Sequence, residues 1–148
     1  MAQLTAEGGH PGNTLAHACV RRWTAPRDLT VGITGRITHE PEAGDGVRAF
    51  IVSSPDGELK KAKVHKTKVE VSLDKVVLKA GDTLDFIVDI GDGLNNDQFL
   101  WAPKISAENE NWNAASDFAG PITDPPYLKP WEQYAQVLLL SNEFAFVD

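Results

Sequence analysis

Residues Lys79–Ile105 read "KAGDTLDFIVDIGDGLNNDQFLWAPKI", and the fold turns on how this stretch is read. From Asp82 onward, Leu84, Phe86, Val88 and Ile90 fall at every second position, the period of a strand with one buried face. The alternation stops at "GDGLNND" and restarts as Phe99, Trp101, Pro103 and Ile105. Two such runs joined by a loop rich in Gly, Asn and Asp read as antiparallel neighbours. The loop is either a turn or a site.

The same period extends through much of the chain. "VRRWTAP" reads as a short strand ending near Pro26, and "LTVGITGRI" puts Leu29, Val31, Ile33 and Ile37 on one face with Thr30, Thr34 and Arg36 on the other. "EPEAGDG" is turn chemistry, and "VRAFIVS" leads through the hairpin turn "SPDG" into "ELKKAKVH". "KVEVSL" and "VVLKAGD" complete the set. The expectation is an all-β fold, an antiparallel sandwich or jelly roll of about seven to eight strands. Residues 1–18, with Gly8, Gly9, Pro11 and Gly12, read as an extended lead-in, and 19–107 as the sandwich. Residues 108–148 read as an irregular segment holding four of the nine prolines, then a helix in "PWEQYAQVLLLSNEF" packed on the sandwich or on a partner.

Composition excludes several classes. The chain has 148 residues, enough for one core without disulfides, and its single Cys19 reads as a small buried hydrophobe beside a strand. A net charge of −7 and the absence of an aromatic-interleaved basic groove argue against nucleic acid. No apolar run is long enough for a membrane helix, and "MAQLTAEGGHPG" has neither the charged start nor the apolar centre of a signal peptide.

Taken in order, "HPG", "RRWTAP", "TGRITHEP", "GDGVRAFIVSS", "KAGDTLDFIVD" and "FLWAPKI" carry a likeness. The chain from His10 onward resembles an accessory β-sandwich of planctomycete-type multidomain proteins of unknown function that also carry a cytochrome-c-like domain. "PWEQYAQVLLLSNEFAFVD" resembles the extreme C-terminus of those proteins. The resemblance implies an excised C-terminal portion of an exported parent, periplasmic or extracellular, with neighbouring domains as partners. It also implies a fold like the carbohydrate-binding modules attached to polysaccharide-processing enzymes. There is no C-x-x-C-H, hence no covalent haem in this chain.

Parity then selects candidate residues. Strand alternation turns Arg48, Asp85, Asp89 and Gln98 outward around Phe50, Ile87 and Leu100, if these strands share one sheet. Planar polar groups around an apolar floor suit a sugar, whose hydroxyls and C–H faces need both. The alternative is that the C-terminal helix covers this face and Arg48 pairs with Asp85. Trp23 and Trp101 have inward parity and read as core, whereas Trp112 between two asparagines is the better exposed aromatic. Asp92, Asn95 and Asp97 are oxygen ligands at a spacing open to calcium, although Gly91 and Gly93 stand where EF-hand ligands belong. His10, His17, His39 and His65 are scattered and make no zinc signature.

The leading functional expectation is a non-catalytic module that binds polysaccharide or oligosaccharide. The alternatives are a structural or protein-interaction domain in a redox or polysaccharide-processing protein, and a hydrolase using an acidic pair. No motif singles out such a pair, because carboxylates are abundant enough to approach one another by chance.

Overall fold

The computed structural model describes residues 2–118, so the expected helix in "PWEQYAQVLLLSNEF" lies outside the described residues. Thirteen short strands form three antiparallel sheets, more and shorter pieces than the seven or eight expected. In chain order they are β1 (Gln3–Leu4), β2 (Gly8–His10), β3 (Cys19–Thr24), β4 (Leu29–Thr34), β5 (Arg36–His39), β6 (Val47–Ser53) and β7 (Gly57–Val64). There follow β8 (Thr67–Glu70), β9 (Leu73–Leu78), β10 (Thr83–Asp89), β11 (Phe99–Leu100), β12 (Lys104–Ser106) and β13 (Asn111–Asn113). The sheet orders are β1-β2-β11-β5-β8, β3-β10-β6-β7 and β13-β12-β4-β9. A 3-10 turn at Leu15–His17 is the one helical element among the described residues.

Local chemistry explains why the count rose. Gly35 separates β4 from β5, and a Cβ there would stand 2.8 Å from Trp101 Nε1. Trp101, Ala102 and Pro103 likewise separate β11 from β12. Long apolar alternations are thus cut into two strands each, and the side-chain parity carries across the cut: Val31, Ile33 and Ile37 are all buried.

One core joins the three sheets. Trp23 on β3, Ile51 on β6 and Phe86 on β10 meet Ile33 on β4, Ile37 on β5 and Ile105 on β12 in a single buried cluster. Phe86 meets Trp101 edge to face at 5.7 Å, an arrangement aromatic rings favour. Trp23 and Trp101 are buried as their parity predicted, and so is Cys19, whose thiol donates to the Gln3 carbonyl at 3.2 Å.

The extended lead-in contains β1 and β2, which continue the five-stranded sheet, β2 pairing with β11 through Phe99↔Gly9 and Leu100↔Gly8. One expectation changes: β10 and β11 are not neighbours. β10 pairs with β3 and β6, whereas β11 pairs with β2 and β5. The "GDGLNND" loop therefore carries the chain from one sheet to another.

Candidate functional site

The outer face of β3, β10 and β6 carries Arg48, Asp85 and Asp89 of the residues that parity had singled out, but each is engaged in an ion pair. Arg48 Nε and Nη2 donate to Asp89 Oδ1 and Oδ2 at 2.8 and 2.9 Å, which holds the guanidinium above its ordinary pKa. Asp85 is taken by Arg22, not Arg48, through two bonds of 2.7 Å. Between the two pairs the register aligns Val20, Ile87 and Phe50 in one cross-strand row. Lys61 stands over the Phe50 ring at 5.2 Å, within cation–π range. Two bidentate ion pairs leave few free donors or acceptors here. Trp112 is half-buried, its ring 5.1 Å from that of Trp23, so it packs on the core and is not a free platform.

The loop between β10 and β11 is fastened by its own polar groups. Gly91 N–H donates to Asp89 Oδ1 at 3.0 Å and Asp92 N–H to Asp45 Oδ2 at 2.8 Å. The second bond is the main reason the Asp45 carboxyl sits below the usual range. Gly44, at φ +93°, brings its backbone so close to Asn95 that a Cβ would lie 2.0 Å from the Asn95 carbonyl oxygen. Lys63 reaches Asp92 at 3.3 Å. Asp97 is fully buried, with Oδ2 accepting from Asn95 N–H at 2.8 Å and Oδ1 without a partner among the described residues, and burial pushes its carboxyl up. The calcium candidates diverge: Asp92 faces Lys63, Asn95 is exposed and Asp97 is enclosed. Among the described residues no group of three His, Cys, Asp or Glu side chains is placed to hold a metal ion.

A different surface forms a cleft. It holds about 420 Å³ and is lined by Gln3, Thr5, Gly9, His10, Thr38, Glu40, Gln98, Phe99 and Leu100. Its geometry follows from strand register. Leu100 stands opposite Gly8 on β2 and Thr38 on β5, and all three point the same way. Beside them the lining holds His10, with Gln3 opposite it, and Gln98 and Glu40, which immediately precede β11 and follow β5. The face is the outward one, since Leu100, Gln98 and Glu40 are exposed whereas Phe99 and His39, of opposite parity, are buried.

The supports of the cleft are specific. A Cβ on Gly8 would lie 2.1 Å from the Phe99 carbonyl oxygen and one on Gly9 2.5 Å from that of Gln3, so β2 fits between its neighbours only as glycine. Arg21 donates to the Thr5, Ala6 and Gly8 carbonyls at 2.6, 2.7 and 2.9 Å and thereby holds the turn between β1 and β2. His10 Nδ1 is 2.7 Å from the Pro11 carbonyl, which can only accept, so Nδ1 carries the proton and Nε2 is an acceptor in the neutral ring. Among the described residues no lysine or arginine lines the cleft.

Of the residues expected to form a sugar site, only Gln98 lies here, together with Leu100 from the expected floor. Arg48, Asp85 and Asp89 sit on another sheet, and Trp112 on a third. Gln3, Thr5, His10, Thr38 and Glu40 were not anticipated, because the pairing of β2 and β5 with β11 that unites them has no local sequence signal. Comparison with family models, curated proteins and solved structures finds no match for this chain. Among the described residues no helix is long and apolar enough to cross a membrane.

Proposed function

We propose that this chain is a non-catalytic carbohydrate-binding module on a two-layer sandwich of jelly-roll type, and that its ligand lies in the cleft over β2, β11 and β5. The sandwich reading rests on chain continuity. The order β11-β5-β8 in one sheet repeats as β12-β4-β9 in another, and each pair is consecutive in sequence. The two sheets then form one kinked layer, with β3-β10-β6-β7 opposite and Phe86 packed on Trp101 between them.

The observation that carries the functional reading is the lining of the cleft. Two amides, two hydroxyls, an imidazole and one carboxylate surround Leu100 in a volume of about 420 Å³, inside the roughly 300–1,000 Å³ typical of small-ligand pockets. Hydroxyl-rich ligands need many uncharged donors and acceptors, and the exposed Leu100 offers a surface for a sugar C–H face. The acidic lining, with no lysine or arginine among the described residues, suits neutral or amino sugars and disfavours uronates and sulfated glycans. Such a module belongs in a larger exported protein beside neighbouring domains.

The test is a glycan-array screen followed by calorimetry on the full chain. Gln98→Ala and Leu100→Ser should weaken binding with an unchanged melting curve. Normal binding by both variants moves the ligand off the cleft, and no binding across neutral, amino and acidic glycans ends the carbohydrate reading. The apolar row of Val20, Ile87 and Phe50 supports a second reading, a protein-interaction domain, which that last outcome would bring forward.

A further inference from the structure

His39 is the last residue of β5 and is fully buried, on the opposite side of the backbone from the cleft. Both of its ring nitrogens are committed to backbone. Nδ1 is 3.3 Å from the Lys66 amide, which can only donate, and Nε2 is 2.9 Å from the Asn96 carbonyl, which can only accept. Nε2 therefore donates and Nδ1 accepts, the arrangement that satisfies both partners. These two partners have something else in common. Lys66, at φ +48°, and Asn96, at φ +58°, are the non-glycine residues with positive φ among the described residues. That conformation costs an ordinary residue free energy and persists only where the surroundings hold it.

We propose that His39 is the positioning residue of the cleft, fixing Glu40 and Gln98 by tying β5 to two backbone positions held in the left-handed region. The inference rests on the carbohydrate reading of the cleft for its ligand. Glu40 directly follows His39, Gln98 lies two residues beyond Asn96, and both line the cleft. If Asn96 relaxed to negative φ, the chain entering β11 would turn, and Gln98 and Leu100 would lose their place in the cleft. Cleft affinity should thus fall when the His39 ring is replaced by a side chain that holds only one of the two backbone groups.

The experiment uses the full chain, compares the wild type with His39→Gln and His39→Asn at one pH, and has two readouts. The first is hydrogen exchange at the Lys66 amide, which donates to the ring, together with the backbone chemical shifts of Glu40, Asn96 and Gln98. The second is calorimetry on the same three proteins with cellohexaose, xylohexaose, mannohexaose and chitohexaose as probes. Losing one buried hydrogen bond corresponds to about a fivefold change in an equilibrium. The shifts of Glu40, Asn96 and Gln98 should therefore move in the variants, and affinity for whichever probe binds should drop about fivefold.

His39→Gln keeps a donor for Asn96 and His39→Asn keeps an acceptor for Lys66, so each variant releases one of the two backbone positions. Wild-type affinity with unmoved shifts at Glu40 and Gln98 in both variants overturns the proposal. If the variants do not fold, Asn96→Ala decides, because it disfavours the left-handed φ at that position: wild-type affinity with unmoved Gln98 shifts overturns it. If no probe binds, the carbohydrate reading fails, and the shifts of Glu40 and Gln98 still show whether His39 positions the cleft.

Discussion

Arg48→Ala separates the two surfaces, because Arg48 is either part of a ligand site or a brace for Asp89. The carboxylate of Asp89 belongs to a residue 8% exposed, and the Arg48 side chain is 23% exposed. Truncation removes two charge-assisted bonds and leaves Asp89 with the Gly91 N–H alone. Exposed ion pairs contribute about 0–1 kcal/mol, and removing one partner of a fully buried pair costs roughly 3–5 kcal/mol. A pair at the edge of burial falls between, at about 2 kcal/mol. For a domain of this size that corresponds to a drop of roughly 6–8 °C in Tm. Calorimetric melting at neutral pH gives the Tm, and titration well below the transition gives glycan affinity, expected at the wild-type value. Arg48→Met with Asp89→Leu should recover most of the loss, since an ion pair can be exchanged for packed apolar groups at little cost. A variant that melts like the wild type yet no longer binds glycan would refute the reasoning. It would restore the outer face of β6 and β10 as the site.

Asp97 gives a pH test with a definite sign. Its folded pKa is raised by burial, so the folded state binds more protons there; the contribution is complete below the unfolded pKa and is lost as pH rises through the folded one. Asp97→Asn should gain stability relative to the wild type between pH 4 and pH 8 in urea melts, and a difference that shrinks over that interval would contradict the assignment. Gly44→Ala and Gly57→Ala both place a side chain at positive φ, but only Gly44 faces the Asn95 carbonyl, while Gly57 meets nothing within 4 Å. Gly57→Ala should cost about 1–2 kcal/mol and Gly44→Ala clearly more; equal urea midpoints would show that the two loops do not interlock. Cys19, buried and with its thiol pushed up, should resist iodoacetamide in the native protein and react fully in urea, as followed by intact mass.

Much of the β architecture was legible because period-2 alternation depends only on which face is buried. Leu84, Phe86 and Val88 on β10, and Val47, Ala49 and Ile51 on β6, are all buried as read. Pairing was harder. The apolar runs flanking "GDGLNND" have the signature of a hairpin, yet the chain crosses between sheets there, because alternation records a buried face and not the strand that lies alongside it. What distinguishes crossing from turning is the contact of this loop with Gly44, Asp45 and Gly46, some fifty residues earlier in the chain. A hairpin fixes its own register locally, whereas this loop is held by another loop.

The same distinction explains why the candidate site moved. Residue types rich in chemistry drew attention where they cluster in sequence, at Asp89, Asp92 and Asn95–Asp97. A cluster on one short loop, however, is also where side chains most readily satisfy nearby backbone. Asp89 accepts from Gly91, Asp97 from Asn95, and Asp92 donates its own N–H to Asp45. The cleft has the opposite construction. Gln3, His10, Glu40 and Gln98 are individually unremarkable and far apart in sequence, and they share one face only because β2, β11 and β5 lie in register. The strongest local trace of that arrangement is Gly8–Gly9, which reads as slack chain. Its reason is the reverse of slackness: β2 is squeezed between the Gln3 and Phe99 carbonyls, where a methyl group would stand 2.1–2.5 Å from an oxygen. A pair of glycines ahead of a polar residue is thus evidence of close strand packing as much as of a turn, and here it brings His10 into line with Gln98.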